Sequence, residues 1–422
     1  MKKLLSLVLS VSLILGLTVA ANAEFAPPPF GILYASLELD SETDGLAEGT
    51  LTVVMKSHFP DSEIIGFWAD SFGPLFSCTA LAPISVCEGI NRISMKACSV
   101  IPSGADRLML YQIGNHGISE EYVIIELPEG CAYHPDDEPL YEFEVISDTQ
   151  IRAEWGSESH FNLQRAFQDI SAVSRDSIAV IINGDMTNSG VQEEYDVLMR
   201  EIAHTPGLPE TFMSIGNHEY MSGEDADIAE ERFLQYAHLP DGTHPSSVYY
   251  DFYLDSAHFI VLAPDCVDED SVVWCGAEQL EWLEDTIANT PDDSEIFVFL
   301  HEAVQNTVSG SYPEQGWGSY QDDGELLQIL KKRDDVILFT SHTHWTMNDP
   351  NTIYQDEGLT VLNTAAVGYL WQSKMDAEGE YLPGSQGFFV RVFPTYVEIF
   401  GRDFSTGKWI PSAMFVLSKA SV

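Results

Sequence analysis

Five apolar runs in this chain each end in residues able to hold a metal ion. VISDTQ ends in Asp148 and Gln150, and VIINGD ends in Asp185. MSIGNH ends in Asn217 and His218, FVFLH in His301, and LFTSHTH in His342 and His344. Alone, a strand-terminal Asp reads as a helix cap. Five such ends in order read as one site, because ligands of α/β proteins bind outside the carboxyl ends of the strands. The donor mixture of carboxylate, amide and imidazole suits divalent cations. Two cations about 3.5–4 Å apart can clamp a phosphoryl group and lower the pKa of a bridging water from about 15.7 to about 7, which gives a hydroxide nucleophile without Ser or Cys. Such a pair needs a carboxylate between the ions. Neutral His, Asn and Gln fill the remaining positions without repelling an anionic substrate.

These residues need strands that end at one rim. From Tyr141 onward, strand-like YEFEVISD, SIAVIINGD, TFMSIGNH, EIFVFLH and DVILFTSHTH alternate with helix-like segments such as HFNLQRAFQDISAVSRD and AEQLEWLEDTIAN. That alternation predicts α/β layering. LTVLNTAAVG, GFFVRVFP and TYVEIFGRD add consecutive strands at the end. Residues 24–139 read differently, as short Val-, Ile- and Tyr-rich runs divided by turn residues, which predicts a small all-β sandwich domain. The Pro- and Asp-rich CAYHPDDEPLYE leads out of it into a catalytic domain over 140–422.

The tetrapeptide IGNH occurs twice. The first copy lies between two strand-like runs, and its Gly114-Asn115-His116-Gly117 predicts a hairpin turn, since Gly and Asn accept positive φ. The second, at Gly216–His218, closes a strand among the other ligands and is the chemical copy. Glu154, Trp155, His160, Asn188 and Tyr220 follow the ligand loops and are either pocket-lining residues or ordinary loop polarity. His258 reads as structural.

The ordered set Asp148-x-Gln150, Gly184-Asp185, Gly216-Asn217-His218-Glu219, His301 and Ser341-His342-Thr343-His344 resembles the calcineurin-like metallophosphoesterase superfamily over roughly Glu144 to Gly368. The resemblance implies a four-layer α/β/β/α sandwich and a centre of two divalent ions (Mn, Fe or Zn). Asp185 would bridge them, with Asp148, Gln150 and His344 completing one position and Asn217, His301 and His342 the other. His218 would contact the phosphoryl oxygen and protonate the leaving alkoxide. Gln150 stands where the family usually has His, and Ser341 where it has Gly. Branches with Asp-x-Gln that act on nucleoside-diphosphate compounds make a nucleotide pyrophosphatase an alternative. Asn188 occupies the place of the Tyr ligand of purple acid phosphatases, so no iron–tyrosinate colour is expected.

Residues 1–23 read as a signal peptide, with Lys2 and Lys3, an apolar stretch and Ala21-Asn22-Ala23 at its end. The expectation is an exported protein, extracellular or periplasmic, without a membrane anchor after cleavage. The net charge of −47 disfavours a nucleic-acid polymer as partner and fits a saline medium, while a small phosphorylated substrate fits the site. The even count of 6 Cys in an exported chain predicts disulfides, with Cys78–Cys87, Cys98–Cys131 and Cys266–Cys275 favoured by proximity. The rival reading is a scaffold whose sandwich domain binds a cell-surface partner; the intact ligand set argues against it.

Overall fold

The computed structural model describes residues 30–39, 49–56, 62–70, 73–95, 100–101, 105–114, 117–128, 139–174, 176–264, 266–267, 273–315, 324–349, 351–373 and 378–419. The chain divides into two compact units, Met1–Asp136 and Asp137–Val422. The signal peptide, the Asn115-His116 turn and the Cys98–Cys131 pairing lie outside the described residues.

The first unit contains β1 (Ile32–Leu39), β2 (Gly49–Met55), β3 (Ser62–Asp70), β4 (Gly73–Val86), β5 (Gly89–Met95), β6 (Arg107–Gly114) and β7 (Gly117–Glu126). They form sheets of order β1-β2-β5 and β4-β3-β6-β7. Alternate residues such as Leu51, Val53, Met55 and Ile93 from one sheet, and Ile64, Trp68, Leu108 and Leu110 from the other, share one buried cluster, which makes the unit a β-sandwich. Gly114 pairs with Gly117 at one end of the antiparallel β6–β7 ladder.

The second unit opens with β8 (Tyr141–Ile146), β9 (Ala179–Asn183) and β10 (Thr211–Ser214), followed by β11 (Tyr250–Leu254) and β12 (Ala257–Val261). After the short ribbon β13 (Cys266–Val267) and β14 (Val273–Trp274) come β15 (Ile296–Phe299), β16 (Val336–Thr340), β17 (Ile353–Asp356) and β18 (Leu359–Asn363). A second ribbon, β19 (Leu370–Gln372) and β20 (Glu380–Leu382), precedes β21 (Gln386–Val392), β22 (Tyr396–Asp403) and β23 (Lys408–Ser418). Two six-stranded sheets result, β10-β9-β8-β21-β22-β23 and β11-β12-β15-β16-β18-β17.

The period of two in the second sheet explains the layering. Ile260, Val298 and Leu338 join a buried cluster with Leu280, Leu283 and Ile287 of α4 (Ala277–Asn289) and with Leu326, Ile329 and Leu330 of α5 (Glu325–Leu330). The intervening Phe259, Phe297 and Phe339 face the first sheet instead, with ring centroids 5.1, 4.8 and 6.4 Å from Phe143 of β8. Such aromatic edges interlock the two sheets face to face. Helices α1 (Glu158–Val173), α2 (Gln192–His204) and α3 (Ala226–Leu234) carry buried faces that include Leu163, Phe167, Ile170, Leu198 and Phe233. This mixed α/β architecture is the one expected from the sequence.

The disulfide expectation is corrected for two of its three pairs, Cys78–Cys87 and Cys266–Cys275. Cys87 is an exposed thiol whose Sγ lies 3.5 Å from Asn91 Oδ1, and the buried Cys275 Sγ reaches the Ala263 carbonyl at 3.6 Å. No disulfide is formed among the described residues. Cys78 lies within β4 and Cys87 just beyond its end. A strand rises about 3.3 Å per residue, so two such positions are far outside bonding reach. Cys266 pairs with Trp274, so Cys275 falls out of register and turns into the core.

Glu144 on β8 is fully buried, and its Oε2 accepts from Ser177 Oγ at 2.7 Å while Oε1 has no hydrogen-bond partner. Burial pushes this carboxyl up to about 8. An acid raised on folding lowers stability as pH climbs from its unfolded value, near 4.5, through about 8. Glu144→Gln is therefore expected to raise Tm by a few degrees at pH 8 and leave it unchanged at pH 4, read by thermal denaturation at both values.

Candidate metal centre

Strands β8, β9 and β10 are mutually parallel, as are β12, β15, β16 and β18. Their carboxyl ends therefore share one rim across both sheets, and every sequence-predicted ligand sits just past one of these ends. The turn each loop makes is tight. Asp148, Gln150, Asp185, His342 and His344 all adopt positive φ, between 40 and 66°. Non-glycine residues avoid that region, and such strain persists where the surrounding structure imposes it.

Two glycines show why the loops have these sequences. Gly184, at φ +78°, could carry a Cβ only 2.4 Å from His301 Nδ1. At Gly216 a Cβ would stand 2.4 Å from Asp185 Oδ1. The Gly-Asp and Gly-Asn-His motifs hold glycine because a neighbouring ligand already occupies the side-chain space.

The structure brings all eight predicted residues together. Asp185 is common to two donor clusters, one with His301 and His342, the other with Asp148 and His344. His301 Nε2 lies 3.3 Å from Asp185 Oδ1, and His344 Nε2 lies 3.0 Å from Asp148 Oδ1. Asn217 Oδ1 and His342 Nδ1 approach to 2.8 Å, and Gln150 Nε2 is 3.3 Å from His344 Nε2. Gln150 thus turns its amide nitrogen, a donor, toward the imidazoles. A ligand role requires the amide oxygen there instead, reached by a half-turn of the same group.

The electrostatics follow from crowding. Burial alone would raise the Asp185 carboxyl, but the His301 and His218 imidazoles hold it well below the usual carboxylate range. Burial would likewise lower His301, yet Asp185 and Asp148 raise it well above its ordinary value. Burial and the neighbouring His301 pull His342 down to about 4.

This donor set fits divalent cations. Asp148 Oδ1 and His301 Nε2 are fully buried and have no hydrogen-bond partner, a costly arrangement for polar atoms that a metal relieves. The second nitrogens are tied back. His301 Nδ1 donates to the Asn183 carbonyl at 2.8 Å and His344 Nδ1 to the Tyr369 carbonyl at 3.0 Å. Backbone carbonyls in that position fix the tautomer and aim Nε2 inward, as outer partners of metal ligands do. Asp148, Gln150, Asp185 and His344 would hold one cation; Asp185, Asn217, His301 and His342 the other.

Several supporting roles escaped sequence reasoning, even where the residue itself stood in a motif. Glu219 is buried and accepts from the backbone N–H of Asp185, Thr187 and Gly216 at 3.0, 2.9 and 2.8 Å, clasping two ligand loops together. Asn183 spans the two sheets, its Nδ2 donating to the carbonyls of Leu300 and Phe339 and to Ser341 Oγ at 3.2, 3.1 and 2.9 Å. Ser341, the departure from glycine, is thereby an acceptor. Glu302 is buried beside His301 with neither carboxylate oxygen hydrogen-bonded, and burial pushes it up to about 7. Its adjacency to the lone His was the only available signal. The loop after β18, a sixth strand end, supplies Tyr369.

Of the further candidates, Asn188 joins the centre: its carbonyl accepts from His218 Nδ1 at 2.7 Å. Trp155 and His160 pack on each other at 4.1 Å, and His160 faces Glu201 rather than the ligands. His258 is structural, held by Thr290 and Asp251 at 2.8 Å each.

Gly184→Ala and Gly216→Ala are each expected to lower bound-metal content at limiting metal at least tenfold, because the added methyl displaces His301 or Asp185. Elemental analysis after dialysis reads this, and circular dichroism confirms that the fold is retained.

The family comparison covers the same residues. The family model for calcineurin-like phosphoesterase matches residues 143–346. No curated protein matches the chain. Among solved structures, a purple acid phosphatase from yellow lupin (Lupinus luteus) seeds is similar at 14% identity and a TM-score of 0.50, covering 92% of this chain and 74% of that one. GAP50 of Plasmodium, described as the anchor in the inner membrane complex, is similar at 11% identity and 0.47, with 67% and 89% covered. A Vps29 variant from Entamoeba histolytica is similar at 12% and 0.32, with 66% and 99% covered. With the ligand loops in order at one rim, residues 143–346 belong to the calcineurin-like phosphoesterase family.

Proposed function

We propose that the protein hydrolyses phosphoric esters with two divalent cations, the reaction centred on Asp185. The observation that supports this most directly is that Asp185 is shared by both donor clusters while Asp148 Oδ1 and His301 Nε2 lack hydrogen-bond partners. When bound, the cations would supply Lewis acidity toward the phosphoryl oxygens and acidify a water at the centre.

The chain's own residues then divide the remaining work. His218 and His342 are the imidazoles of the centre with partial access to solvent; the His218 side chain is 23% exposed, against 0% for His301 and 2% for His344, and His342 is engaged by Asn217 Oδ1. The His218 Nδ1–H is committed to the Asn188 carbonyl and its backbone N–H to Asp185 Oδ1 at 2.8 Å, so Nε2 points toward the space over the centre. Asp185 Oδ2, 3.7 Å from that nitrogen, stabilises the protonated ring. Protonated, Nε2 can donate to a phosphoryl oxygen and then to the departing alkoxide. The Gln150 amide, whose Nε2 lies 3.2 Å from His218 Nε2, can accept from the protonated ring only with its oxygen turned inward, the same half-turn that its ligand role requires. We further propose that the protein acts after export, directed by residues 1–23, in a saline medium that screens its acidic surface.

Purified protein loaded with Mn²⁺, Zn²⁺ or Fe²⁺ is expected to hydrolyse chromogenic phosphate esters. Asp185→Ala and His218→Ala should each lower kcat at least 100-fold, on the order expected for removing a central metal ligand or a general acid. Bound metal should fall in the first variant and persist in the second. Wild-type protein that takes up no metal would overturn the proposal in favour of a scaffold.

The export proposal predicts that intact-mass measurement of the protein recovered outside the cytoplasm gives a chain starting at Glu24. An uncleaved chain, or one retained inside, would overturn it.

A further inference from the structure

A hollow of about 190 Å³ opens beside the centre, lined by Gln150, Arg152, Asn188, Tyr369 and Tyr381 and by the first turn of α1 at Ser157–Ser159. Its inner end is set by two residues that touch the proposed proton donor: Gln150 lies 3.2 Å from His218 Nε2, and the Asn188 carbonyl holds His218 Nδ1. An alcohol that takes its proton from His218 leaves on this side of the centre. On the phosphoesterase reading, the leaving half of the ester would rest in this hollow. At about 190 Å³ it is smaller than the roughly 300–1,000 Å³ typical of pockets for drug-sized ligands, so it holds one ring.

One wall is aromatic and continuous. The Tyr369 ring packs on the ligand His344 at 4.5 Å, and Tyr381 lies 5.9 Å beyond Tyr369 at an interplanar angle of 30°. Trp371 backs Tyr381 edge-on at 6.5 Å and 87°. The strip thus leads from a ligand of the centre out to the rim, where Tyr381 remains 50% exposed despite being held from behind. A half-exposed phenol ring at the end of a fixed stack is a surface for a further planar ring. Glu158, joined to Tyr381 Oη at 3.4 Å, steadies that ring from the helix side. Arg152 is exposed at the same rim. By contrast Arg333, Arg391 and Arg402 are committed to Asp335, Glu398 and Asp169.

Building on the phosphoesterase reading, we infer that Tyr369 and Tyr381 form a stacking subsite that selects phosphate esters whose leaving alcohol carries a planar aromatic ring, a nucleobase or an aryl group. Arg152 favours a second negative charge on that leaving half.

The test compares kcat/KM for phenyl phosphate, adenosine 5′-monophosphate and glycerol 3-phosphate in the metal-loaded full chain. Tyr381→Ala should lower the two aromatic substrates about tenfold and leave glycerol 3-phosphate within twofold, while Tyr381→Phe restores them. Loss on adenosine monophosphate alone identifies a nucleobase site, and loss on both an aryl site. Equal loss on all three substrates, or loss on none, overturns the inference. Turnover of glycerol 3-phosphate by the wild type reports on the phosphoesterase reading separately. Equilibrium dialysis of adenosine monophosphate adds a readout free of turnover: the wild type should bind at least fivefold more tightly than Tyr381→Ala, and equal binding sinks the subsite even if no ester is cleaved.

Discussion

Two carboxylates, Asp148 and Asp185, are buried at the rim where two sheets meet, and much of the second unit is arranged to make that tolerable. An ionised carboxylate taken out of water is costly unless cations or hydrogen-bond donors surround it. Here the imidazoles of His218, His301 and His344 stand within 4 Å of one or the other carboxylate. They can do so only because parallel strands of both sheets finish at the same level. The need also reaches the backbone, where five of the eight site residues accept left-handed conformations to bring their donors inward. Local strain and buried charge are thus two faces of one requirement.

Much of this was legible in the sequence. Polar donors at the ends of apolar runs are visible without coordinates, because a strand buried on both faces reads as a continuous apolar segment and its last residue marks a rim. The ordered ligand motifs and the strand–helix alternation carried the fold and the residues of the centre. The first unit was legible as a sandwich, although β4, GPLFSCTALAPISV, is interrupted by Pro and Ala and did not stand out. Missing that strand led directly to the Cys78–Cys87 expectation, since nine residues of loop can double back and nine residues of strand cannot.

The roles that the sequence does not display act through partners distant in the chain. Asn183 matters because it meets Leu300, Phe339 and Ser341, more than a hundred residues away. Glu219 matters because its oxygens satisfy N–H groups on another loop. Tyr369 follows a strand whose end bears no ligand, so nothing in its surroundings marked it. A linear pattern records which residues are chemically able. It does not record which of them act as supports, and supports are what hold the centre in register. The second IGNH copy shows the same division: the tetrapeptide, which also occurs at 113–116, does not by itself mark the copy that follows a parallel strand into the centre.

The phenylalanine seam has a consequence beyond packing. Phe143 keys into Phe259, Phe297 and Phe339, so the thickness of that aromatic layer sets the spacing between the sheets. Asp148 and Asp185 follow strands of one sheet, and His301, His342 and His344 follow strands of the other. The seam therefore works as a gauge block for the centre. A change of one ring deep in the interior would alter the gap across which oxygen and nitrogen donors meet, so the size of cation that the donors would fit is set in the hydrophobic core as much as by the donors themselves.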